Sequence, residues 1–283
     1  VGKTKLSILL ASALNGEIIN ADSMQIYKEL NIGTAKIKDR EQENIPHHLL
    51  NIRSIDENYS VYNYQKDCRE KITEIINRGK IPIVVGGTGL YIKAALYDYQ
   101  FNQEPLNDDD YSNYSNQELY EELINIDPDT SIHINNRKRM IRFLTYYKNN
   151  QVNIKENNNG NKLFYDTLFI GLTLPREILY QRINDRVDEM FHEGLLEEVK
   201  SLYDKNIKCR AIDTAIGYKE VYEYLNNKLS YEEMVDLIKK NSRRYAKRQY
   251  TWFNNQMNVK WFNVDIQAFQ NTYNEVIEYI KNN

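Results

Sequence analysis

Apolar residues recur at helical spacing from the start of the chain, at Leu6, Leu9, Leu10, Ala13 and Leu14. That period predicts an amphipathic helix beginning at about residue 4. Residues 17–22 (Glu-Ile-Ile-Asn-Ala-Asp) then read as a short buried strand ending on a carboxylate. Residues 60–78 return to helical spacing. Gly79-Lys80 turns the chain into a second apolar run, 81–85, followed by Gly86-Gly87-Thr88-Gly89 and a helix from near Leu90. Strand, glycine turn and helix in alternation predict an α/β fold with a parallel sheet.

The middle of the chain breaks this rhythm. Residues 102–116 are rich in Asn, Asp and Ser and read as loop. Residues 117–148 read as helical, with a break near Asp127-Pro128. Residues 149–162 carry Asn and Lys without apolar period. Strand character returns at 166–174, and Pro175 suits the opening of a long helix. Helices are predicted at about 176–204, 213–227 and 230–255, then a strand at 259–264 and a last helix. The expected organisation is a discontinuous core of 1–108 and 163–283, with 109–162 as an inserted helical subdomain.

Composition narrows the class. Of 283 residues, 41% are hydrophobic and 27% charged, as in ordinary globular proteins. No apolar run is long enough for a membrane helix, and no secretory leader pattern opens the sequence. Cys68 and Cys209 stand far apart, outside any metal-ligand spacing, which suits a reduced, cytoplasmic compartment. A net charge of −3 argues against general coating of nucleic acid, but charge is locally concentrated. Lys239, Lys240, Arg243, Arg244, Lys247 and Arg248 place six cations in ten residues. Arg137, Lys138, Arg139 and Arg142 form a second cluster.

Candidate chemistry begins at Val1-Gly2-Lys3-Thr4. Gly-Lys-Thr at the mouth of a helix is the end of a Walker A loop. Backbone N–H groups and the helix dipole face an anion there. Lys3 adds a point charge, and the Thr4 hydroxyl can ligate Mg²⁺. Asp22, at the carboxyl end of a strand, should face the same ligand. It could be a general base, a metal-side acid, or simply the cap of the next turn. The Gly86–Gly89 run reads either as close backbone approach to a ligand, with Thr88 offering its hydroxyl, or as a plain tight turn. The strand before it ends in Gly-Gly-Thr where a motor or switch NTPase wants Asp. Arg182 and Arg186, four apart on one helix, can clamp a diphosphate or join a solvated network with Asp185 and Asp188. The basic 239–248 segment, interleaved with Tyr245, Tyr250, Trp252 and Phe253, suits RNA, or else a helix with its aromatic side buried. His47-His48 lacks partners at metal-ligand spacing. Tyr218 reads as core or turn.

Taken together the motifs resemble the tRNA isopentenyltransferase family, the tRNA dimethylallyltransferases, over nearly the whole chain. The carriers are Val1-Gly2-Lys3-Thr4, Asp22-Ser23-Met24-Gln25-Ile26-Tyr27, Ile32-Gly33-Thr34-Ala35-Lys36, Pro46-His47-His48-Leu49, Val85-Gly86-Gly87-Thr88-Gly89-Leu90-Tyr91, Gln181-Arg182-Ile183-Asn184-Asp185-Arg186, Ala215-Ile216-Gly217-Tyr218-Lys219 and Ala246-Lys247-Arg248-Gln249. The resemblance implies a P-loop-type parallel sheet flanked by helices. It implies transfer of a dimethylallyl group from dimethylallyl diphosphate to N6 of adenosine 37, beside the anticodon, in tRNAs reading codons that begin with U. It assigns Asp22 as base, Thr88 to the channel entry and Arg186 to the diphosphate; the residues' own chemistry puts Val1, Gly2, Lys3, Thr4 and Arg182 on the phosphates, with Mg²⁺ as cofactor. It also assigns Ser23, Met24 and Gln25, with Asp22 itself, to tRNA contact, along with Lys138, Arg139, Met140, Ile141 and Arg142; Lys247 and Arg248 are added by their charge. The family's Gly-Pro-Thr-Ala half of the loop is not in this sequence, so a longer protein is expected. The form without a zinc finger, acting as a monomer on the anticodon stem-loop, is the bacterial one.

Two rival readings remain at this point. A P-loop small-molecule kinase would use ATP, with Asp22 activating a hydroxyl, and leaves the basic helix and the insertion without a role. A non-catalytic RNA-binding protein would tolerate loss of Asp22.

Overall fold

The computed structural model describes residues 1–101, 111–150 and 162–283. The expected loops at 102–116 and 149–162 fall, for residues 102–110 and 151–161, outside them. The chain forms two compact units, Val1–Leu96 with Tyr165–Asn283, and Tyr97–Phe164.

In the first unit, helix α1 (Lys3–Ala13) leads into β1 (Gly16–Ala21), whose six residues are all buried. A strand covered on both faces needs an apolar run, which Ile18, Ile19 and Ala21 supply. Strand β2 (His47–His48) pairs with one edge of β1. Helix α2 (Val61–Asn77), capped by the Ser60 hydroxyl accepting from Asn63 N–H, leads to β3 (Ile81–Gly86) on the other edge. All pairings are parallel, in the order β2-β1-β3. The register sets Ala21 beside Gly86, so the chain leaves both strands at the same rim. Helix α3 (Gly89–Leu96) starts three residues later and packs on α2, with Tyr64 and Tyr91 stacked at 4.2 Å between ring centroids.

The second unit holds α4 (Asn116–Ile126) and α5 (Arg137–Asn150) around Tyr111, Leu119, Leu123, Met140, Phe143 and Leu144. Ser115 and Glu118 form a capping box at the start of α4. Arg137 donates to the carbonyls of Tyr111 (2.7 Å) and Tyr114 (2.6 Å), so this cation ties the unit together. Asp98 N–H donates to the Lys162 carbonyl at 2.9 Å, joining the unit's two ends.

Back in the first unit, β4 (Ile170–Thr173) precedes α6 (Arg176–His192) and α7 (Leu195–Asp204). The single helix expected over 176–204 breaks at Gly194, whose φ of 102° is left-handed. The helix expected over 213–227 is likewise divided, into α8 (Arg210–Thr214) and α9 (Tyr218–Leu225), at Gly217 with φ 95°. Helix α10 (Tyr231–Gln256), strand β5 (Lys260–Asn263) and α11 (Phe269–Lys281) complete it. Strand β5 pairs in parallel with β4 alone, so among the described residues the expected single sheet is two parallel sheets, of three and two strands. Helix α1 serves both. Its Leu6 and Leu10 pack with Leu172, Phe262 and Val276, and its Ile8 and Ala11 pack with Ile18. A separate core cluster joins Ile26 and Leu30 to Leu195, Val199, Tyr218 and Ile238, which seats the chain after β1 on α7, α9 and α10.

Candidate active site

The site forms where β1 and β3 end together. Gly86 lies so close to its neighbour that a Cβ there would sit 2.1 Å from the Ala21 carbonyl oxygen. That approach lets Thr88 N–H donate to Ala21 O at 3.1 Å. The Thr88 Oγ1 accepts from Ser23 N–H at 3.0 Å and lies 3.3 Å from Ser23 Oγ. Thr88 therefore stitches the glycine turn to the Asp22 turn. Its hydroxyl is already engaged there.

Asp22 is half-buried, and its Oδ1 accepts from Met24 N–H at 2.9 Å. The capping role weighed from the sequence is thus present. It uses one oxygen, and among the described residues no donor reaches Oδ2. Buried Asn20 fixes the backbone of Asp22 from both sides. Its Oδ1 accepts from Asp22 N–H (3.2 Å), and its Nδ2 donates to Asp22 O and Leu49 O, both at 3.1 Å. Gln25 Nε2 donates to Thr34 O at 3.0 Å, which holds residues 22–25 against the following loop.

Three cations converge on the same rim. Gly2, at φ 102°, turns the chain into α1 and delivers Lys3 and Thr4 to the helix mouth, both open to solvent. Lys3 Nζ donates to Gly86 O at 3.3 Å. Although the Lys3 side chain still reaches solvent, the protein crowded around it lowers its pKa; Asp22 acts to raise it and Arg186 to lower it further. Arg186 responds in the same way, lowered by its surroundings and raised by Glu189, Asp22 and Glu193. Val1, just ahead of α1, lies within electrostatic reach of Arg186, Lys3 and Arg182. Lys3, Arg182 and Arg186 thus share one space with Asp22 at its edge. Of the two aspartates beside the arginines on α6, Asp185 accepts from Gln181 (2.7 Å) and Asp188 pairs with Lys239 (2.6 Å). Among the described residues no group of three or more His, Cys, Asp or Glu could hold a metal ion. His47 Nδ1 lies 2.8 Å from Ile45 O, and His48 Nε2 lies 2.7 Å from Glu17.

Helix α10 closes over the glycine turn through residues that sequence reasoning passed over or read differently. Gln249 Nε2 donates to Gly87 O at 2.9 Å, and a Cβ on Gly87 would lie 2.0 Å from that nitrogen. Trp252 covers Gly89, where a Cβ would lie 2.1 Å from its ring. The Tyr245 phenol has its pKa raised by burial and next by Asp22, with Gln249 and Thr88 as hydrogen-bond partners acting oppositely. Tyr250 donates to Leu172 O at 3.1 Å and packs on Trp261. The aromatic side of α10 therefore lies on protein, and Tyr250 and Trp252 are not free to stack on bases. The helical period at 245, 249 and 252 was the available signal for Gln249, but a lone glutamine carries no chemistry of its own in a sequence.

The cationic side of α10 is divided. Arg243 donates to Asn184 at 2.6 Å and Lys239 pairs with Asp188, so both bind α10 to α6. Lys240, Arg244, Lys247 and Arg248 are exposed. In the second unit, Lys138, Arg139 and Arg142 are exposed, whereas Met140 (0% exposed) and Ile141 (8%) face the core. The two apolar side chains assigned to RNA contact point the wrong way, because α5 buries one stripe and presents the other.

These features have counterparts in known proteins. Residues 25–256 match the family described as IPP transferase. The chain is 51% identical over 290 residues to the tRNA dimethylallyltransferase of Anoxybacillus flavithermus, covering 99% of this chain and 93% of that one. Identity to the enzyme of the same name from Geobacillus thermodenitrificans is 49% over 294 residues, with the same coverage. Among solved structures, a tRNA isopentenylpyrophosphate transferase from Staphylococcus epidermidis is 40% identical at a TM-score of 0.75, covering 100% of this chain and 96% of that one. A eukaryotic dimethylallyltransferase acting on tRNA is 33% identical at a TM-score of 0.83, covering 99% of this chain and 77% of that one. A phosphate-type helix mouth facing a strand-end carboxylate, with this family match spanning most of the sequence, places the chain in the IPP transferase family, among the tRNA dimethylallyltransferases.

Proposed function

We propose that this chain prenylates tRNA, moving a dimethylallyl group from dimethylallyl diphosphate to N6 of adenosine 37 in tRNAs reading codons that begin with U. The observation that carries the reading is the shared space of Asp22, Lys3 and Arg186 at the joint end of β1 and β3. Family membership supports the same chemistry over that of a small-molecule kinase.

In the reaction, adenine N6 attacks the allylic C1 of the donor. The N–C bond forms as the C–O bond to diphosphate breaks. Asp22 takes the N6 proton through Oδ2, the oxygen left open by the Met24 contact. Lys3, Arg182 and Arg186 neutralise the charge that grows on the leaving diphosphate. The Thr4 hydroxyl at the helix mouth would hold Mg²⁺, and the ion would add to the same neutralisation. Thr88 acts by holding the Asp22 turn and the glycine turn in register at the channel entry. The target base is extruded from its stack to reach Asp22. Residues 22–25, Lys247 and Arg248, and on the second unit Lys138, Arg139 and Arg142, contact the RNA. One chain supplies every group named, which supports action as a monomer. Among the described residues no helix is long and apolar enough to cross a membrane; a tRNA substrate supports work in the cytoplasm.

The test is incubation with dimethylallyl diphosphate, Mg²⁺ and an unmodified anticodon stem-loop carrying adenosines at 36, 37 and 38. Nucleoside mass spectrometry should find isopentenyladenosine. ATP hydrolysis in place of prenylation would refute the reading.

A further inference from the structure

Residues 31–36, directly after the Asp22 turn, are held by a carboxylate from far along the chain. Glu198 on α7 accepts from the backbone N–H groups of Asn31 (3.2 Å), Ile32 (3.0 Å) and Gly33 (3.5 Å). The same carboxylate accepts from the Tyr218 hydroxyl at 2.5 Å. Tyr218 is fully buried, and its ring lies where a Cβ on Gly33 would come within 2.5 Å. Three successive N–H groups converging on one centre form an anion-binding nest, and here the anion is built in.

The nest is connected to the site. Within the loop, Lys36 N–H donates to Asn31 O at 3.0 Å and Ala35 N–H to Ile32 O at 2.8 Å. The buried Lys36 ammonium donates to Tyr27 O, Asn31 Oδ1 and Asn51 Oδ1 at 2.6–3.0 Å. Thr34 O then accepts from Gln25. The links run from Glu198 to residues 31–33, to Thr34, to Gln25, and so to the turn carrying Asp22. Glu198 has no contact with the phosphate cations. Among the described residues, its carboxylate accepts hydrogen bonds from the loop side and from Tyr218 alone.

We infer that Glu198 and Tyr218 are positioning residues that hold residues 22–34 in the conformation that receives the target adenosine. The inference rests on the prenyl-transfer reading and adds to it a clasp that acts on the RNA side of the site alone. Tyr218→Phe removes one donor from the carboxylate and leaves the ring on Gly33. Glu198→Gln keeps the shape but offers one acceptor oxygen, and turns N–H donors toward backbone N–H.

The clasp is tested by steady-state kinetics on Tyr218→Phe and Glu198→Gln, with the anticodon stem-loop and the prenyl donor varied in turn. A hydrogen bond to a charged group is worth about tenfold. The KM for RNA should rise about tenfold in Glu198→Gln and less in Tyr218→Phe, with the KM for donor within about twofold of wild type. A side chain needed only for folding would lower the active fraction and leave both KM values alone; an unchanged RNA KM in both variants would overturn the inference. Amide hydrogen exchange provides a second readout that needs no turnover. Asn31, Ile32 and Gly33 should lose protection in Glu198→Gln while the β1 amides keep theirs, and retained protection at 31–33 would overturn it. If the wild-type chain yields no prenylated RNA, the prenyl-transfer reading fails, and the exchange experiment still decides whether Glu198 holds the loop.

Discussion

Asp22 performs two tasks with two oxygens, and substitutions can separate them. Asp22→Asn keeps an Oδ1 that accepts from Met24 N–H, now 2.9 Å away, so the turn persists. What it loses is the proton acceptor. A positioned base contributes roughly 10²–10⁴-fold, or about 2.7–5.4 kcal/mol of barrier, and kcat should fall within that range. Asp22→Ala also removes the turn contact, which adds about 1 kcal/mol of instability. Its RNA KM should therefore rise where that of Asp22→Asn does not. The donor supplies an internal control. The Asp22 charge acts on Lys3 and Arg186, so neutralising it leaves the phosphate site more positive. The donor KM should stay level or fall in both variants. Steady-state prenylation of a stem-loop, with the stem-loop and donor concentrations varied in turn, measures all three quantities. If Asp22→Asn turns over within about threefold of wild type, the base is another group. If both variants fall together with a rising donor KM, Asp22 is structural for the phosphate site.

Other consequences follow from the same geometry. Gly86→Ala would place a Cβ 2.1 Å from the Ala21 carbonyl oxygen and 2.7 Å from its Cα; because these are backbone atoms, stability should drop by about 3 kcal/mol in urea unfolding, and an unmoved midpoint would contradict the β1–β3 register. Glu17 is buried, which by itself would raise its pKa, but hydrogen bonds from Lys80, His48 and Arg78 bring it down to about 2 from an ordinary 4.5. The unfolded chain therefore binds the proton more readily, so this group's stabilisation is complete above about pH 4.5 and is lost as pH falls toward 2. With the outer ends of Arg78 and Lys80 in water, the effect is about 1–2 kcal/mol; Glu17→Gln should flatten acid unfolding across that window, and an unchanged acid limb would refute it. Neutralising Lys247 and Arg248, both exposed, should reduce the slope of log K against log salt for stem-loop binding by about 1.5–2, and an unaltered slope would remove this face from the RNA contact.

Periodicity and motif spacing placed α1, β1, β3 and the helix after the glycine turn, because burial on two faces demands apolar runs and a helix demands its 3.6-residue repeat. They also brought Lys3, Thr4, Asp22 and Thr88 to one rim, since parallel strands deliver their carboxyl ends to the same side. Helix breaks at Gly194 and Gly217 were hidden, because the apolar stripe continues across both and only a left-handed φ interrupts it. The sequence alone could not say which half of an aromatic and basic helix meets protein. Tertiary packing decided that, laying Tyr250 on Trp261 and Trp252 on Gly89 while leaving Lys247 and Arg248 outside. It turned Met140 and Ile141 inward beside exposed Lys138, Arg139 and Arg142. The link between Glu198 and Asn31–Gly33 was also its choice, joining residues about 165 apart along the chain. Local composition determines which elements form and which end of a strand carries chemistry, since both depend on neighbours in sequence. Which hydroxyl is already engaged, which cation is paired and which carboxylate holds a loop depend on neighbours in space, and those the fold alone supplies.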